Sequence, residues 1–351
     1  MKKPRFSRLL ATLAMASALA LPAGAARADS FESEFDKLFG TEKRAPRPAP
    51  AQAPVRPFVA PASPGFSSFS GSLEEAVATL ANGAQGRIGV AAMDLSTGRS
   101  VSMLGDQPFP MASTSKIAIV ATYLDLVDQG KFKLDDRFPL MIPQRSARFS
   151  STAAPVRPGA MLTAQGLIEL AITRSDNPAT DALLAAVGGP AAVNRWIQRA
   201  GLSGMRLDRD IATLVRDDGE FNPATTVDLR DSATPLAMVQ LLSGLYQGRW
   251  LSRSSRAVLI GAMERCVTGR RRLPAMLPEN TRVAHKTGTL NNTSSDVGII
   301  HTPDGRAIAI AVYVTGQGSR ANRDLRIASI SRAVYDGYLT ESSSLRRTAS
   351  R

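Results

Sequence analysis

The chain has 351 residues and 44% hydrophobic content, so it can bury the core of one large domain or of two lobes. Its formal net charge of +13 favours weak attraction to anionic cell-wall or membrane surfaces, but the basic run 270–272 lacks aromatic neighbours, so we expect a solvated loop there and no nucleic-acid partner. The single cysteine, Cys266, excludes an intramolecular disulfide, and the two histidines, His285 and His301, lack metal-ligand spacing, so no metal or other cofactor is expected.

Residues 1–28 have the features of a secretory signal peptide. Basic residues precede an apolar run from Leu9 to Leu21, and Ala26-Arg27-Ala28 fits a cleavage site. The run is too short and too rich in alanine for a membrane span, and no cysteine follows it for lipid attachment. The sequence therefore predicts an exported protein, periplasmic or secreted, without a transmembrane span.

Residues 29–71 read as a tether, because seven prolines fall between Glu42 and Ser70 and the segment cannot bury enough apolar surface to offset its ordering entropy. A globular domain is expected over residues 72–340 and a disordered tail over 341–351. We expect a monomer.

Within the domain, strand patterns lie at both ends and helical patterns in the middle. A helix from Leu73 to Asn82 precedes two strand candidates. The helical middle includes a helix over Ser252 to Cys266, which makes Cys266 a small helix residue rather than a catalytic thiol. The strand candidates are Arg87 to Leu95, Arg99 to Leu104, Thr281 to Thr289, Ser295 to His301 and Arg306 to Thr315, and a helix over Arg320 to Tyr338 closes the domain. The order predicts an α/β (α+β) fold with one antiparallel sheet built from both termini.

One stretch places a hydroxyl and an amine a helical turn apart. Ser113 and Lys116 are three residues apart at the start of an apolar pattern that ends at Gly130. A lysine on the same face can help to deprotonate a serine, and the N–H groups of a helix N-terminus can bind an oxyanion. The alternative is a capping serine beside a solvated lysine, which is common by chance.

Two further motifs follow in order, Ser175-Asp176-Asn177 in a loop between helices and Lys286-Thr287-Gly288 in a strand. With Ser113 and Lys116 they form the S-x-x-K, S-D-N and K-T-G set, which resembles class A β-lactamases and penicillin-binding proteins. The resemblance extends from about Leu73 to Tyr338. It implies a five-stranded antiparallel sheet with an inserted helical lobe, and an active site between them.

The resemblance also implies roles for individual residues. Ser113 is the acylated nucleophile, Lys116 helps to deprotonate it, and Ser175 relays a proton to the leaving nitrogen. The oxyanion hole consists of the backbone N–H groups of Ser113 and Thr289. The residues implied in substrate binding are Asn177, Lys286, Thr287 and Gly288.

The deacylating carboxylate is where the sequence departs from the family, which uses a glutamate in a loop. Counting forward from Asn177, Arg206 to Arg209 matches the loop entry, but Asp210-Ile211 then stands at the catalytic position. Counting back from Asp231, residues 214–222 match, with Asp218 as the catalytic carboxylate, Asn222 as the water-binding amide and Arg216 opposite Asp231. We favour the second register because it keeps a carboxylate and an amide at the family's spacing. Glu220 is a further candidate, and both acids could instead be ordinary surface residues.

Three functions remain open from the sequence. The first is an exported serine β-lactamase acting on β-lactams through a Ser113 acyl-enzyme that Asp218 deacylates. The second is a penicillin-binding or D,D-peptidase-like hydrolase of peptidoglycan-derived substrates with slow deacylation, and the third is a non-catalytic cell-wall module. The strand from Ser295 to Ile300 lacks the arginine that would hold a substrate carboxylate, and we expect Arg323 to fill that role.

Overall fold

The computed structural model describes the backbone of residues 72–349 and the side chains of residues 73–340. The expected signal peptide and tether lie outside the described residues. The first helix of the domain, α1, covers Ser72–Ala81, and the last, α9, covers Arg320–Ala349. The backbone of α9 therefore continues through much of the segment that was expected to be a disordered tail, since a helix that is already formed extends readily over residues such as Leu345 and Arg346.

A five-stranded antiparallel sheet forms the centre of the domain, with strand order β2-β1-β9-β8-β7. Its first strand pairs with its last along the chain, with Gly89 opposite Tyr313. The predicted sheet built from both termini is thus confirmed. The strands are β1 (Ile88–Asp94), β2 (Ser100–Met103), β7 (Val283–Leu290), β8 (Thr293–His301) and β9 (Ala307–Thr315).

The two faces of the sheet are covered by different helices. Strand β9 is buried along its whole length, and its side chains alternate between the two cores as a pleated strand requires. Ile310 and Val312 pack with Leu73 of α1 and Val334 of α9. Alternate positions, including Ala311, face the helical lobe. Both faces of the central strands are thereby removed from water, which is the main source of stability for the sheet.

The helical lobe lies in the middle of the chain. Its first helix, α2, covers Lys116–Asp128 and begins directly after a 3₁₀ turn at Ala112–Ser115. The remaining helices of the lobe are α3 (Ala164–Thr173), α4 (Asn177–Val187), α5 (Gly189–Arg199), α6 (Ile211–Arg216), α7 (Pro235–Gln247) and α8 (Arg253–Glu264). Among residues 72–349, no helix is both long and apolar enough to cross a membrane.

Several elements differ from the sequence prediction. A hairpin of β4 (Arg137–Pro143) and β5 (Val156–Thr163) lies within the lobe that was expected to be all helical. Prolines in both strands hide the β pattern, because proline cannot donate to a sheet ladder. Strands β3 (Phe109–Pro110) and β6 (Ser232–Ala233) form a second short pair. Helix α8 ends at Glu264, so the expectation that Cys266 lies in a helix was wrong.

Candidate active site

Ser113 lies on a tightly constrained turn. The residue before it, Ala112, is buried and has a φ of 49°, a left-handed conformation that costs free energy in a residue with a Cβ. The next two hydroxyls donate back to the chain, Thr114 to the Met111 carbonyl at 2.7 Å and Ser115 to the Ala112 carbonyl at 2.8 Å. Both are buried, whereas Ser113 is partly exposed. The turn thus presents one serine hydroxyl outward and fixes the backbone around it.

Lys116 connects the nucleophile turn to the S-D-N loop. Its side chain is fully buried, and its Nζ donates to Asn177 Oδ1 at 2.7 Å and to the Ser175 carbonyl at 2.5 Å. Burial of an ammonium group is costly unless hydrogen bonds compensate. The alternative of a solvated lysine is therefore wrong. Helices α2 and α4 meet at the Lys116 amine.

Ser175 lies between two lysines. Its Oγ accepts from Lys286 Nζ at 2.9 Å and from Lys116 Nζ at 3.3 Å. The backbone of Ser175 is left-handed, with a φ of 60°. Its neighbour Asp176 caps α4 by accepting from the Ala179 N–H at 2.7 Å. The capped helix holds the strained serine in place, and its hydroxyl can exchange a proton with either amine.

The K-T-G strand approaches the nucleophile turn closely. Lys286 is fully buried and also donates to the Thr287 carbonyl at 3.0 Å. A Cβ at Gly288 would lie 2.7 Å from the Met111 carbonyl oxygen, so only glycine allows this approach. The segments that carry the N–H groups of Ser113 and Thr289 are therefore packed together.

Arg272 is a residue whose role the sequence did not reveal. Its side chain is 2% exposed, so the expectation of a solvated loop at this position was wrong. It donates to the carbonyls of Gly288 and Ser295, both at 2.9 Å, and to Thr289 Oγ1 at 2.8 Å. An ion pair with Asp324 at 2.7 Å completes its bonds. Three consecutive arginines look alike in the sequence, and only the fold distinguishes the buried one.

The segment from residue 209 to residue 231, which contains α6, is closed by Arg209 and Asp231. The Arg209 Nε lies 2.6 Å from Asp231 Oδ2, and the carboxylate also accepts from the N–H groups of Asp208 at 2.7 Å and Arg209 at 3.0 Å. The expected pairing of Arg216 with Asp231 was wrong. Arg216 instead bonds to Asp217 with both distances at 2.8 Å, because the adjacent carboxylate satisfies it within the same turn.

The two loop residues expected to act on water belong to a second group of contacts. Both oxygens of Asp218 accept from the N–H of Asn291 at 2.9 Å, and Asn222 Oδ1 accepts from Asn292 Nδ2 at 2.9 Å. Asn291 and Asn292 form the turn between β7 and β8. Lys116, Ser175, Asn177 and Lys286 are thus joined by hydrogen bonds to one another, and Asp218 and Asn222 are joined to the far end of β7.

The comparisons with known proteins agree with this geometry. A model of the β-lactamase enzyme family matches residues 72–338. The extended-spectrum β-lactamase PER-1 of Pseudomonas aeruginosa is 30% identical, with 80% of this chain and 93% of the relative covered. The β-lactamase CTX-M-25 of Escherichia coli is 32% identical over 79% of this chain and 93% of the relative.

The chain belongs to the class A β-lactamase family.

Solved structures support the same assignment. A variant of the reconstructed last common ancestor of class A β-lactamases from Gram-negative bacteria is 38% identical, with a TM-score of 0.66, over 77% of this chain and 99% of that one. A β-lactamase from Chitinophaga pinensis is 30% identical, with a TM-score of 0.65, over 76% and 97% of the two chains. The protein is a class A serine hydrolase that acts on β-lactam amides, and the fold predicted from the resemblance is confirmed.

In this β-lactamase the loop-closing pair supports the first of the two registers. With Arg209 at the loop entry, Asp210 and Ile211 stand where the family has its catalytic glutamate. Neither side chain offers a carboxylate that is not already engaged in capping. Asp210 caps α6 by accepting from the Thr213 N–H at 2.6 Å, and Ile211 is buried and apolar. In this register the first residue of α6, Ile211, occupies the position at which the family has its glutamate.

A buried carboxylate that the sequence analysis missed lies beside this position. Asp181 follows Asn177 by one turn of α4 and accepts from the N–H groups of Ile211 at 2.7 Å and Ala212 at 2.9 Å. Burial raises the pKa of Asp181 to about 7, against the two backbone hydrogen bonds and the charge of Lys116, which lower it. The four-residue spacing from Asn177 was the available sequence signal.

Arg323 contacts β8 at Ser294, the residue that pairs with Thr289 across the sheet. Its guanidinium donates to the Gly316 carbonyl at 3.0 Å, to Asn292 Oδ1 at 3.1 Å and to Ser294 Oγ at 3.3 Å. The side chain is 7% exposed, and burial lowers its pKa. Arg323 thus holds the β7–β8 turn, and Arg272 is the arginine that reaches the K-T-G strand.

Proposed function

We propose that this β-lactamase opens the lactam ring through an acyl-enzyme on Ser113, and that the finished product is released by water activated by the loop carboxylate Asp218. The observation that carries the acylation half is the hydroxyl of Ser175 held between the amines of Lys116 and Lys286. A chain of exchangeable protons beside a serine at a helix start is the arrangement that acyl transfer to and from nitrogen requires.

In the proposed acylation, each bond that forms and each proton that moves has a partner among these residues. Ser113 Oγ attacks the lactam carbonyl carbon while its proton passes to Lys116, which must be a neutral amine at that moment to accept it. The N–H groups of Ser113 and Thr289 stabilise the negative oxygen that develops, and the carbon–nitrogen bond then breaks. Ser175 donates its proton to the departing nitrogen and is reprotonated from a neighbouring amine.

Substrate binding uses the opposite wall of the cleft. Lys286 and Thr287 hold the substrate carboxylate, Gly288 leaves room for the ring, and Asn177 binds the side-chain amide. Arg272 supports this wall from behind by fixing the Thr289 hydroxyl at 2.8 Å. The guanidinium adds positive charge on the side where the substrate carries its carboxylate.

Deacylation rests on Asp218, with Asn222 as the second polar group for the water. Asp218 is partly exposed at the end of β7, and Glu220, the other loop acid, is engaged by Arg230 at 2.6 Å. Asp218 is shorter than the family's glutamate by one methylene, and a displacement of about 1 Å in a catalytic group can cost on the order of a hundredfold in rate.

A second candidate function is favoured by Ile211. With an apolar residue at the family's glutamate position and Asp218 bonded to the Asn291 N–H, acylation can proceed while hydrolysis of the acyl-enzyme is slow. The protein would then behave as a penicillin-binding or D,D-peptidase-like enzyme acting on peptidoglycan-derived substrates. The basic composition and the features of an export signal suit a cell-wall location for either function.

Intact mass spectrometry of the protein mixed with benzylpenicillin, followed over time, tests the proposal. A penicilloyl adduct that forms and decays with substrate turnover supports the β-lactamase mechanism. An adduct that persists supports the second function. Ser113→Ala is the control, and an adduct on that variant, or none on the natural chain, would overturn the assignment of Ser113.

A further inference from the structure

The loop between β4 and β5, residues 144–155, is bonded to the segment that contains α6. The N–H of Phe149 donates to Asp217 Oδ1 at 2.7 Å. The N–H of Ala154 donates to Thr213 Oγ1 at 2.8 Å. The backbone of this loop is therefore fixed against α6 and against the residue that follows the helix.

The side chain of Arg148 extends from this loop to the C-terminal end of α6. Its Nε donates to the carbonyl of Arg216 at 3.1 Å, and its Nη2 donates to the carbonyl of Asp218. The last carbonyls of a helix have no partner within the helix, and the helix dipole favours a cation beside them. The guanidinium can bond two carbonyls at once because its donors lie in a fixed, planar fork. Arg148 therefore holds the backbone on both sides of Asp217.

Asp218 is also held from the side of the sheet, by the turn between β7 and β8. Both of its carboxylate oxygens accept from the Asn291 N–H at 2.9 Å. The next residue, Gly219, lies between the two partners, since a Cβ there would be 3.7 Å from Arg148 Nη2 and 3.6 Å from Asn291 Nδ2. Arg148 thus reaches Asp218 from the helical lobe and Asn291 reaches it from the sheet. One contact fixes the backbone of Asp218 and the other fixes its carboxylate.

We propose that Arg148 is a positioning residue for deacylation, which holds the backbone of Asp218 in place while the Asn291 N–H holds the carboxylate. The inference deepens the proposed function and rests on it, because it requires Asp218 to activate the deacylating water. Displacement of a catalytic group by about 1 Å can cost on the order of a hundredfold in rate, so the backbone contact matters for this step. Acylation depends on other bonds, those that join Ser175 to two lysines, and loss of Arg148 leaves them in place.

The test measures two rate constants, for formation and for decay of the benzylpenicillin acyl-enzyme, by quenched flow and intact mass spectrometry. Arg148→Ala is expected to slow decay by about tenfold or more and to change formation by less than about twofold. Arg148→Lys keeps the charge but loses the fork, so it is expected to recover part of the decay rate. The matched control is Arg145→Ala, at an exposed arginine of the same loop, with both rates expected to be normal. Decay of Arg148→Ala at the natural rate, or equal slowing of both steps, would overturn the positioning role.

A double-mutant cycle tests whether Arg148 acts through Asp218. In the Asp218→Asn background the proposed base is already lost, so adding Arg148→Ala is expected to slow decay of the acyl-enzyme no further. This non-additivity is the result that a general loss of loop structure would not produce. If Arg148→Ala slows decay by the same factor in both backgrounds, it acts on another group and the inference is wrong.

The two proposals fail in different ways. If the adduct persists on the natural chain, or if Asp218→Asn decays normally, the assignment of Asp218 is wrong and the positioning role of Arg148 is wrong with it. If Asp218→Asn decays slowly while Arg148→Ala decays normally, only the inference about Arg148 is wrong.

Discussion

Arg209 and Asp231 form a partly buried ion pair, with the Arg209 Nε 2.6 Å from Asp231 Oδ2, and they lie at the two ends of the segment that contains α6. Because this pair fixes which residues belong to the loop, it also fixes where the family's glutamate would be. Ile211 occupies that position in this register, so the proposed deacylation needs another group.

Arg209→Ala is expected to lower the free energy of unfolding by roughly 3–5 kcal/mol, because it leaves the buried Asp231 carboxylate without its charged partner. Urea denaturation measures the change, and hydrolysis of a chromogenic cephalosporin reports the loop. The matched control is Arg206→Ala, which removes an exposed arginine paired with Asp208 and is expected to shift the midpoint far less. Equal shifts for the two variants would show that the pair does not close the loop.

Asp218→Asn separates a structural from a chemical role of this residue. The amide oxygen can still accept from the Asn291 N–H, so the loop keeps its contact, but an amide cannot take a proton from water. Time-resolved mass spectrometry with benzylpenicillin is expected to show an acyl-enzyme that decays at least about a hundredfold more slowly. Asp217→Asn, next to it, is the control. Normal decay in Asp218→Asn removes Asp218 from the mechanism.

Ser175→Gly and Ser175→Ala both delete the hydroxyl, but only glycine relieves the left-handed backbone at a φ of 60°. Both are expected to slow acylation by about a hundredfold or more, as loss of a proton donor does. The glycine variant is expected to unfold at a higher urea concentration than the alanine variant. Rapid acylation of either variant would mean that another group protonates the leaving nitrogen.

Arg272→Ala is expected to raise KM for carboxylate-bearing lactams by about tenfold or more, since the Thr289 hydroxyl and two strand carbonyls lose their donor. Arg272→Lys keeps the charge but not the planar fork and should recover only part of the loss. Arg271→Ala, at an exposed neighbour, serves as the control. A normal KM in Arg272→Ala that is accompanied by normal stability would contradict this role.

Asp181→Asn is expected to change how stability depends on pH. The native pKa of about 7 lies above the unfolded value of 3.8, so the native state binds the extra proton between these values. The free energy of unfolding therefore falls as pH rises through that window, by at most about 1.4 kcal/mol per pH unit, and the penalty is complete above pH 7. The variant minus wild-type difference in urea stability should rise from pH 4 to pH 7 and then level off. A difference that is constant with pH would show that Asp181 does not titrate in this range.

The sequence predicted the fold and supplied the candidate acylating residues because those features leave local signals. Periodicity marked β9 and α2, and the three motifs marked Ser113, Ser175 and Lys286. The register of the segment between residues 206 and 231 was harder to predict. Arginine and aspartate occur in it more than once, so spacing alone cannot show whether Arg209 or Arg216 pairs with Asp231. Arg272 was missed for a related reason, since burial of one arginine in a run of three depends on β7 and β8, which are distant in sequence.

The pairing of the first strand with the last also sets the order in which the protein can become active. The Arg87 N–H donates to the Thr315 hydroxyl, 228 residues further along the chain. Contacts this distant form late, and a ribosome delivers the N-terminal strand long before its partner exists. A nascent chain that carries Ser113, Lys116 and Ser175 still lacks the strand of Lys286 and Thr289. The proposed active site is therefore complete only when synthesis is nearly finished, and interrupted translation yields fragments that carry the proposed nucleophile without the strand proposed to bind the substrate.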